Sequence, residues 1–321
     1  MVRDLRNIPK LPENVKEQRE EIKKLLTDEM YGGVGEYSFA YSSEKAFEAE
    51  IFKVHVKGAD THTFSFSLHV PKENVKSPAI VYLAFGQEDA LPDFLTERGY
   101  AAVICKAFEI EADKADSFPQ GLAKAICAKS AMAAWAEGMI IAAKIISEHE
   151  RIDKDNIVAV GCSRLGKAAL WAGALYEGFF AVASFDSGCG GAAINSGKQD
   201  EHITDMLKSF PHWFSPKMRK YIDNESAMPF DQHFLLALIA PRMLLVTSST
   251  KDPYCDPYAE FLGLAYASRA YESYGKSGIG TFIRPPAGEL LIGDGAAYYL
   301  RDGHHGVERE DWEALLNFLE E

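Results

Sequence analysis

The sequence predicts a three-layer α/β sandwich with a mostly parallel twisted sheet and antiparallel leading strands, and three observations carry that reading. Short, nearly continuous apolar runs alternate with segments of helical spacing, the pattern of a sheet covered on both faces. Two earlier runs alternate apolar with polar residues, as half-exposed antiparallel strands do. One of the apolar runs ends in a serine flanked by glycines, and a helix-forming run starts immediately after it.

In chain order, Glu13 to Met30 reads as a charged amphipathic helix closed by Tyr31-Gly32-Gly33. Ile51 to Val56 and Thr63 to Val70 are the alternating strands, expected near a sheet edge. Ala79 to Ala84, Ala101 to Cys105, Ile157 to Val160, Ala181 to Ser184 and Met243 to Thr247 are the buried parallel strands. Glu310 to Leu319 closes the chain as a helix. No GxGxxG follows the first parallel strand, which argues against a dinucleotide fold. With no repeat, low-complexity tract or Pro/Gly/Ser-rich linker, residues 1–321 are expected to form a single domain, with 1–45 a helical extension packed on it.

Bulk properties exclude several functions. The 321 residues carry a formal net charge of −13, and no Lys/Arg-rich run offsets it, so neither nucleic acid nor an anionic membrane is an expected partner. No apolar run reaches the length of a membrane span. The charged stretch from Met1 to Lys24 lacks an apolar core, so no signal peptide is read there and a cytoplasmic placement is expected. Cys105, Cys127, Cys162, Cys189 and Cys255 are odd in number and lack CxxC spacing, which fits free thiols and no metal site.

The chemistry concentrates in Val160-Gly-Cys-Ser163-Arg-Leu-Gly-Lys167. A strand, a tight turn of small residues and a new helix are what a nucleophile elbow needs, because the turn thrusts the hydroxyl above the sheet and the helix amides favour a developing oxyanion. The fold class is therefore an α/β-hydrolase fold. The second glycine stands three residues after Ser163, giving GxSxxG where GxSxG is usual; a Gly-rich turn with an N-capping serine is the competing reading. A serine needs a base and the base an orienting acid, which in this fold follow in the order acid, then His. Tyr298-Tyr-Leu-Arg301-Asp-Gly-His304-His305-Gly306 is expected to lie in a loop before the last helix and holds the candidate bases. Asp186 and Asp252 compete as the acid, each following a parallel strand. Cys162 is expected to pack under the elbow.

These residues resemble the glucuronoyl esterase family of carbohydrate esterases. Gly161-Cys-Ser-Arg-Leu-Gly-Lys167 is similar to its G-C-S-R-x-G-K motif, and Asp186-Ser-Gly-Cys-Gly-Gly-Ala192 to its E-S-G-x-G-G-A stretch. His212-Trp-Phe214, Pro229-Phe-Asp-Gln-His233 running on to Ala240-Pro-Arg242, and Arg301-Asp-Gly-His-His305 with Asp311-Trp312 are similar to further blocks. The likeness runs from about Ile152 to the C-terminus and extends faintly to Glu29-Met-Tyr-Gly32. It implies Ser163 as nucleophile and His305, rather than His304, as base. It also implies Arg164 as an oxyanion donor beside an amide near Phe85-Gly86, and Lys167 as a ligand of a sugar hydroxyl. The family's acid occurs after either strand; Asp252 is favoured, with Asp186 second or a joint contributor. Tyr254 stands where relatives carry a uronate-binding Trp. Trp213 is assigned equally to the pocket rim and the core, and His233 to the pocket or to a structural role.

The expected activity is a serine carboxylic-ester hydrolase acting through an acyl-enzyme on a small-molecule or oligosaccharide ester, with no cofactor. Two alternatives stand beside it: an acetyl-xylan or cephalosporin-C type deacetylase, and a catalytically inactive carbohydrate-binding protein of the same fold.

Overall fold

A computed structural model of the chain describes residues 5, 7–86, 88 and 90–321. Its strands are β1 (Ser38–Ala46), β2 (Ala49–Lys57), β3 (Thr61–His69), β4 (Ser77–Ala84), β5 (Ala101–Lys106), β6 (Ile152–Cys162), β7 (Ala181–Phe185), β8 (Met243–Ser249), β9 (Leu290–Ile292) and β10 (Ala296–Arg301). Among the described residues they form one sheet in the order β1-β2-β3-β5-β4-β6-β7-β8-β10-β9. The segment β5-β4-β6-β7-β8-β10 is parallel throughout. Antiparallel pairs close both ends, β1-β2-β3 with β3 on β5 at one edge and β9 on β10 at the other.

The apolar runs of the central strands are explained by burial on two faces. In β4, Ala79, Val81 and Leu83 enter one hydrophobic cluster, while Ile80, Tyr82 and Ala84 enter the other. The larger cluster includes side chains from the helices Val15–Leu26, Ala131–Ser147, Arg164–Leu175 and Pro257–Glu272. The smaller one is closed by Leu91–Thr96 and Arg309–Leu319, with Trp312 edge-on to Tyr82 and Phe185. Each face thus removes a continuous apolar layer from water, the dominant favourable contribution to such a fold.

Two boundaries differ from the sequence reading. Residues 1–45 are not wholly helical: after the helix and a π-type turn ending at Tyr31, Ser38 opens β1, which pairs with β2 along its whole length. β1 escapes a hydrophobic-pattern search because its residues, SFAYSSEKA, are exposed almost throughout. Tyr298 to Arg301 are the last four residues of β10, so the loop bearing His305 begins only at Asp302. Stacking of Tyr31 on Trp171, with ring centroids 4.3 Å apart, fastens the N-terminal segment to the helix that follows Ser163. Among the described residues no helix is long and apolar enough to cross a membrane, and the five cysteines are unpaired.

Candidate active site

Ser163 lies between β6 and the helix Arg164–Leu175 at φ 56°, ψ −129°, a backbone conformation that L-residues avoid unless their surroundings impose it. Its N–H donates to Phe185 O at the end of β7 (2.8 Å), and Gly166 and Lys167 N–H both return to Ser163 O. The glycine spacing follows from close packing. A Cβ on Gly161 would stand 2.2 Å from Leu165 O, and one on Gly166 would stand 2.9 Å from Ser184 Oγ and 3.0 Å from Ser187 Cβ. Gly166 is therefore the position at which the new helix rests on the end of β7 and the segment after it. Cys162 is buried beneath the turn, as expected.

Ser163 Oγ is 2.9 Å from His305 Nε2, and His305 Nδ1 is 2.6 Å from Asp252 Oδ2. A carboxylate only accepts, so Nδ1 carries the proton and Nε2 is left to accept the serine hydroxyl. The other oxygen of Asp252 accepts the amides of Tyr254 (2.8 Å) and Cys255 (3.0 Å). Burial alone raises the Asp252 carboxyl; the His305 and Tyr254 hydrogen bonds outweigh it and hold the group below its ordinary value, so it is ionised at neutral pH. Ser163 and His305 are only partly buried.

Asp186 is elsewhere in this arrangement. Its Oδ2 accepts Ser249 Oγ (2.7 Å) and the Gly306 amide (3.0 Å), and it has no hydrogen bond to His305. Its buried Oδ1 has no partner among the described residues, and burial pushes the carboxyl well above the carboxylate range. As an orienter of the His305 ring, Asp186 is displaced by Asp252; its contact is with the residue after His305. Arg301 grips the same loop from β10, with Nη2 2.9 Å from both His304 O and Gly306 O, and its Nε donates to Asp311 Oδ2 (2.8 Å). His304 is exposed.

The remaining candidates are placed as follows. The Arg164 guanidinium pairs with Asp113 and lies among the rings of Trp213 (4.8 Å), Phe85 (5.5 Å) and Phe210 (5.5 Å). Phe85, just after β4, is 48% exposed, and among the described residues beyond its chain neighbours nothing stands within 4 Å of a Cβ built on Gly86. Trp213 is buried, stacked on Phe210 at 3.9 Å, and its Nε1 donates to Asp113 Oδ1 (2.7 Å). Lys167 is buried too; its ammonium donates to Ser187 O (2.6 Å) and stands 5.6 Å from the Trp213 ring centre. Tyr254 is 56% exposed and edge-on to His305. His233 does not join the group. It is buried, its Nε2 donates to Pro9 O (3.0 Å), and it packs on Phe234 and Tyr266, which is the structural role.

Two residues near the site have no counterpart in the sequence reading, and a third, Arg301, figures there only within a motif. Asp113 holds Arg164, His212 (2.8 Å) and Trp213 together. Burial raises its carboxyl, but the His212, Trp213 and Arg164 bonds bring it down to about 2. Its signal was an acid shortly after the parallel strand β5, where ligand-contacting residues of open α/β sheets gather. Glu260, the buried acid of the helix Pro257–Glu272, accepts the Gly188 amide (2.7 Å) and Ser248 Oγ (2.7 Å). Arg301 stood in plain view at the end of a strand-like run. Asp252, Cys255 and His305 present donor atoms within 4.8 Å of one another. Their hydrogen bonds already engage them, Cys255 Sγ–H donating to Asp186 O (3.0 Å).

Comparisons with known proteins bear on the family and the fold. A family profile described as "Glucuronyl esterase, fungi" matches residues 53–275. The chain is 38% identical over 189 residues to a carbohydrate esterase from an unknown prokaryotic organism, a match covering 59% of this chain and 44% of that protein. It is 36% identical over 138 residues to a 4-O-methyl-glucuronoyl methylesterase from Phanerochaete chrysosporium, covering 40% of this chain and 29% of that protein. The matches thus span less than half the length of these two curated relatives. Among solved structures, a glucuronoyl esterase from Solibacter usitatus is 30% identical with a TM-score of 0.84, covering 95% of this chain and 92% of that chain. A promiscuous CE15 esterase from a marine bacterial metagenome is 27% identical with a TM-score of 0.82, covering 94% and 90%. With the profile spanning more than half of its residues and the fold shared nearly end to end, this chain belongs to the glucuronoyl esterase family.

Proposed function

We propose that this chain is a serine carboxylic-ester hydrolase acting on a carbohydrate ester, with a glucuronate ester as its substrate. The observation that carries the reading is the unbroken hydrogen-bond chain from Ser163 through His305 to Asp252 on a strained strand–helix turn. His305 Nε2 takes the Ser163 proton as Oγ attacks the ester carbonyl. Amides at the start of the helix Arg164–Leu175 and near Phe85–Gly86 meet the oxyanion, with the Arg164 guanidinium beside them. The imidazolium, steadied by ionised Asp252, protonates the leaving alcohol as the ester C–O bond breaks. Water then adds to the acyl-enzyme with His305 as base. The bond from the acyl carbon to Oγ breaks, Oγ regains a proton from His305, and the acid departs.

The glucuronate assignment draws support from the activity named for the fungal relative and from the partial exposure of Ser163 and His305, which suits an ester carried on a larger sugar chain. One observation favours a second reading, an acetyl esterase: Tyr254 replaces the Trp that the family resemblance places against the uronate, and it is largely exposed. Benzyl glucuronate and 4-nitrophenyl acetate separate the two. A higher kcat/KM on the glucuronate supports the first; turnover of acetate alone moves the substrate to small acyl groups.

A further inference from the structure

We propose that Asp113 is a positioning residue that neutralises Arg164, so that the anionic acid formed in each turnover is released. The inference rests on the ester-hydrolase reading above. Hydrolysis converts a neutral ester and water into an alcohol, a carboxylate and a proton. The carboxylate forms at Ser163, with the Arg164 guanidinium on the adjacent residue. A free guanidinium binds carboxylates with two parallel N–H···O bonds, the strongest geometry available to it. In this position such a fork would retain the product.

Asp113 occupies one prong of that fork. Its Oδ2 pairs with Arg164 Nη1, while its Oδ1 accepts His212 Nε2 at 2.8 Å and Trp213 Nε1 at 2.7 Å. The rings of Trp213, Phe85 and Phe210 hold the guanidinium from other sides. Arg164 therefore arrives at the site oriented, with its net charge cancelled by a carboxylate that stays ionised throughout the neutral range. With Nη1 engaged by Asp113 and Nε buried, the remaining N–H groups can still meet an oxyanion confined to one atom, but neither edge of the guanidinium offers two accessible N–H groups to the product carboxylate. The side chains of Arg164 and Asp113 are 31% and 28% exposed, so water screens the pair only in part.

The test is the affinity of the product. Binding of D-glucuronate is titrated calorimetrically to wild type, Asp113→Asn and Asp113→Glu, and inhibition by glucuronate is read on 4-nitrophenyl acetate. Asn retains an acceptor for His212 and Trp213 but cannot pair with Arg164; Glu retains the charge. Glucuronate should bind Asp113→Asn about tenfold more tightly than wild type, while Asp113→Glu stays near wild type. A folding defect does not tighten product binding, so this direction separates the role from a structural one. Unchanged or weaker binding to a folded Asp113→Asn overturns the proposal. Should that variant not fold, wild type alone decides: equal affinity for glucuronate and neutral glucose supports the neutralised Arg164, and a strong preference for glucuronate refutes it. Failure of the hydrolase reading itself would appear separately, as wild-type protein that a fluorophosphonate does not label.

Discussion

His305 Nδ1 stands 2.6 Å from Asp252 Oδ2, whereas Asp186 reaches the same loop only at the Gly306 amide, 3.0 Å away. Two acids that look interchangeable in the sequence thus do different work: Asp252 fixes the tautomer of the base, and Asp186 anchors the loop behind it. Asp252→Asn should lower kcat on 4-nitrophenyl acetate by about 10³–10⁴-fold, the effect of presenting the wrong tautomer to a serine. Asp186→Asn keeps an acceptor for the Gly306 amide, and a loss of only about tenfold is expected. Equal losses would return Asp186 to the triad.

The elbow predicts an intolerant position. A methyl group on Gly161 would meet the carbonyl of Leu165 at 2.2 Å, and that carbonyl belongs to the helix backbone. Gly161→Ala should destabilise the fold by about 3 kcal/mol or more and abolish serine labelling, as read by denaturant unfolding and probe incorporation.

Glu260 sets a pH dependence of stability. Full burial, with the Asp186 charge adding, pushes its carboxyl from 4.5 to about 8. Below pH 4.5 it is protonated folded or unfolded and has no effect. Between pH 4.5 and about 8 the unfolded chain ionises first and binds fewer protons, so stability falls as pH rises. Glu260→Gln keeps an acceptor for the Gly188 amide and gives Ser248 a donor. Its urea midpoint should match wild type near pH 4.5 and exceed it increasingly toward pH 8.5.

Lys167 divides the substrate readings. Its buried ammonium donates to Ser187 O and has three N–H groups in all. Lys167→Met should reduce kcat/KM on benzyl glucuronate by about tenfold more than on 4-nitrophenyl acetate, as the loss of a charged hydrogen bond to a sugar hydroxyl requires. Parallel losses on both esters would assign the lysine to the Ser187 segment alone.

The central sheet and the nucleophile turn are legible in the sequence alone. The central strands announce themselves because both of their faces are buried, so nearly every residue is apolar. The elbow is legible because glycines are needed on both sides of Ser163, at 161 for the helix backbone and at 166 for the segment beyond β7. β1 is hidden because an exposed edge strand has no apolar face to display. Asp113 is hidden because its partners lie 51, 99 and 100 positions away, beyond the reach of any local pattern. His233 stays open between pocket and structural role in the sequence because its deciding partner, Pro9 O, lies 224 positions away.

The most direct test of the central claim is labelling by a fluorophosphonate probe, run on wild type beside Ser163→Ala. The geometry predicts stoichiometric labelling of wild type, located to Ser163 by peptide mapping, and none in the variant. A folded wild-type protein that resists the probe, or one labelled equally after Ser163→Ala, would contradict the Ser163–His305–Asp252 mechanism.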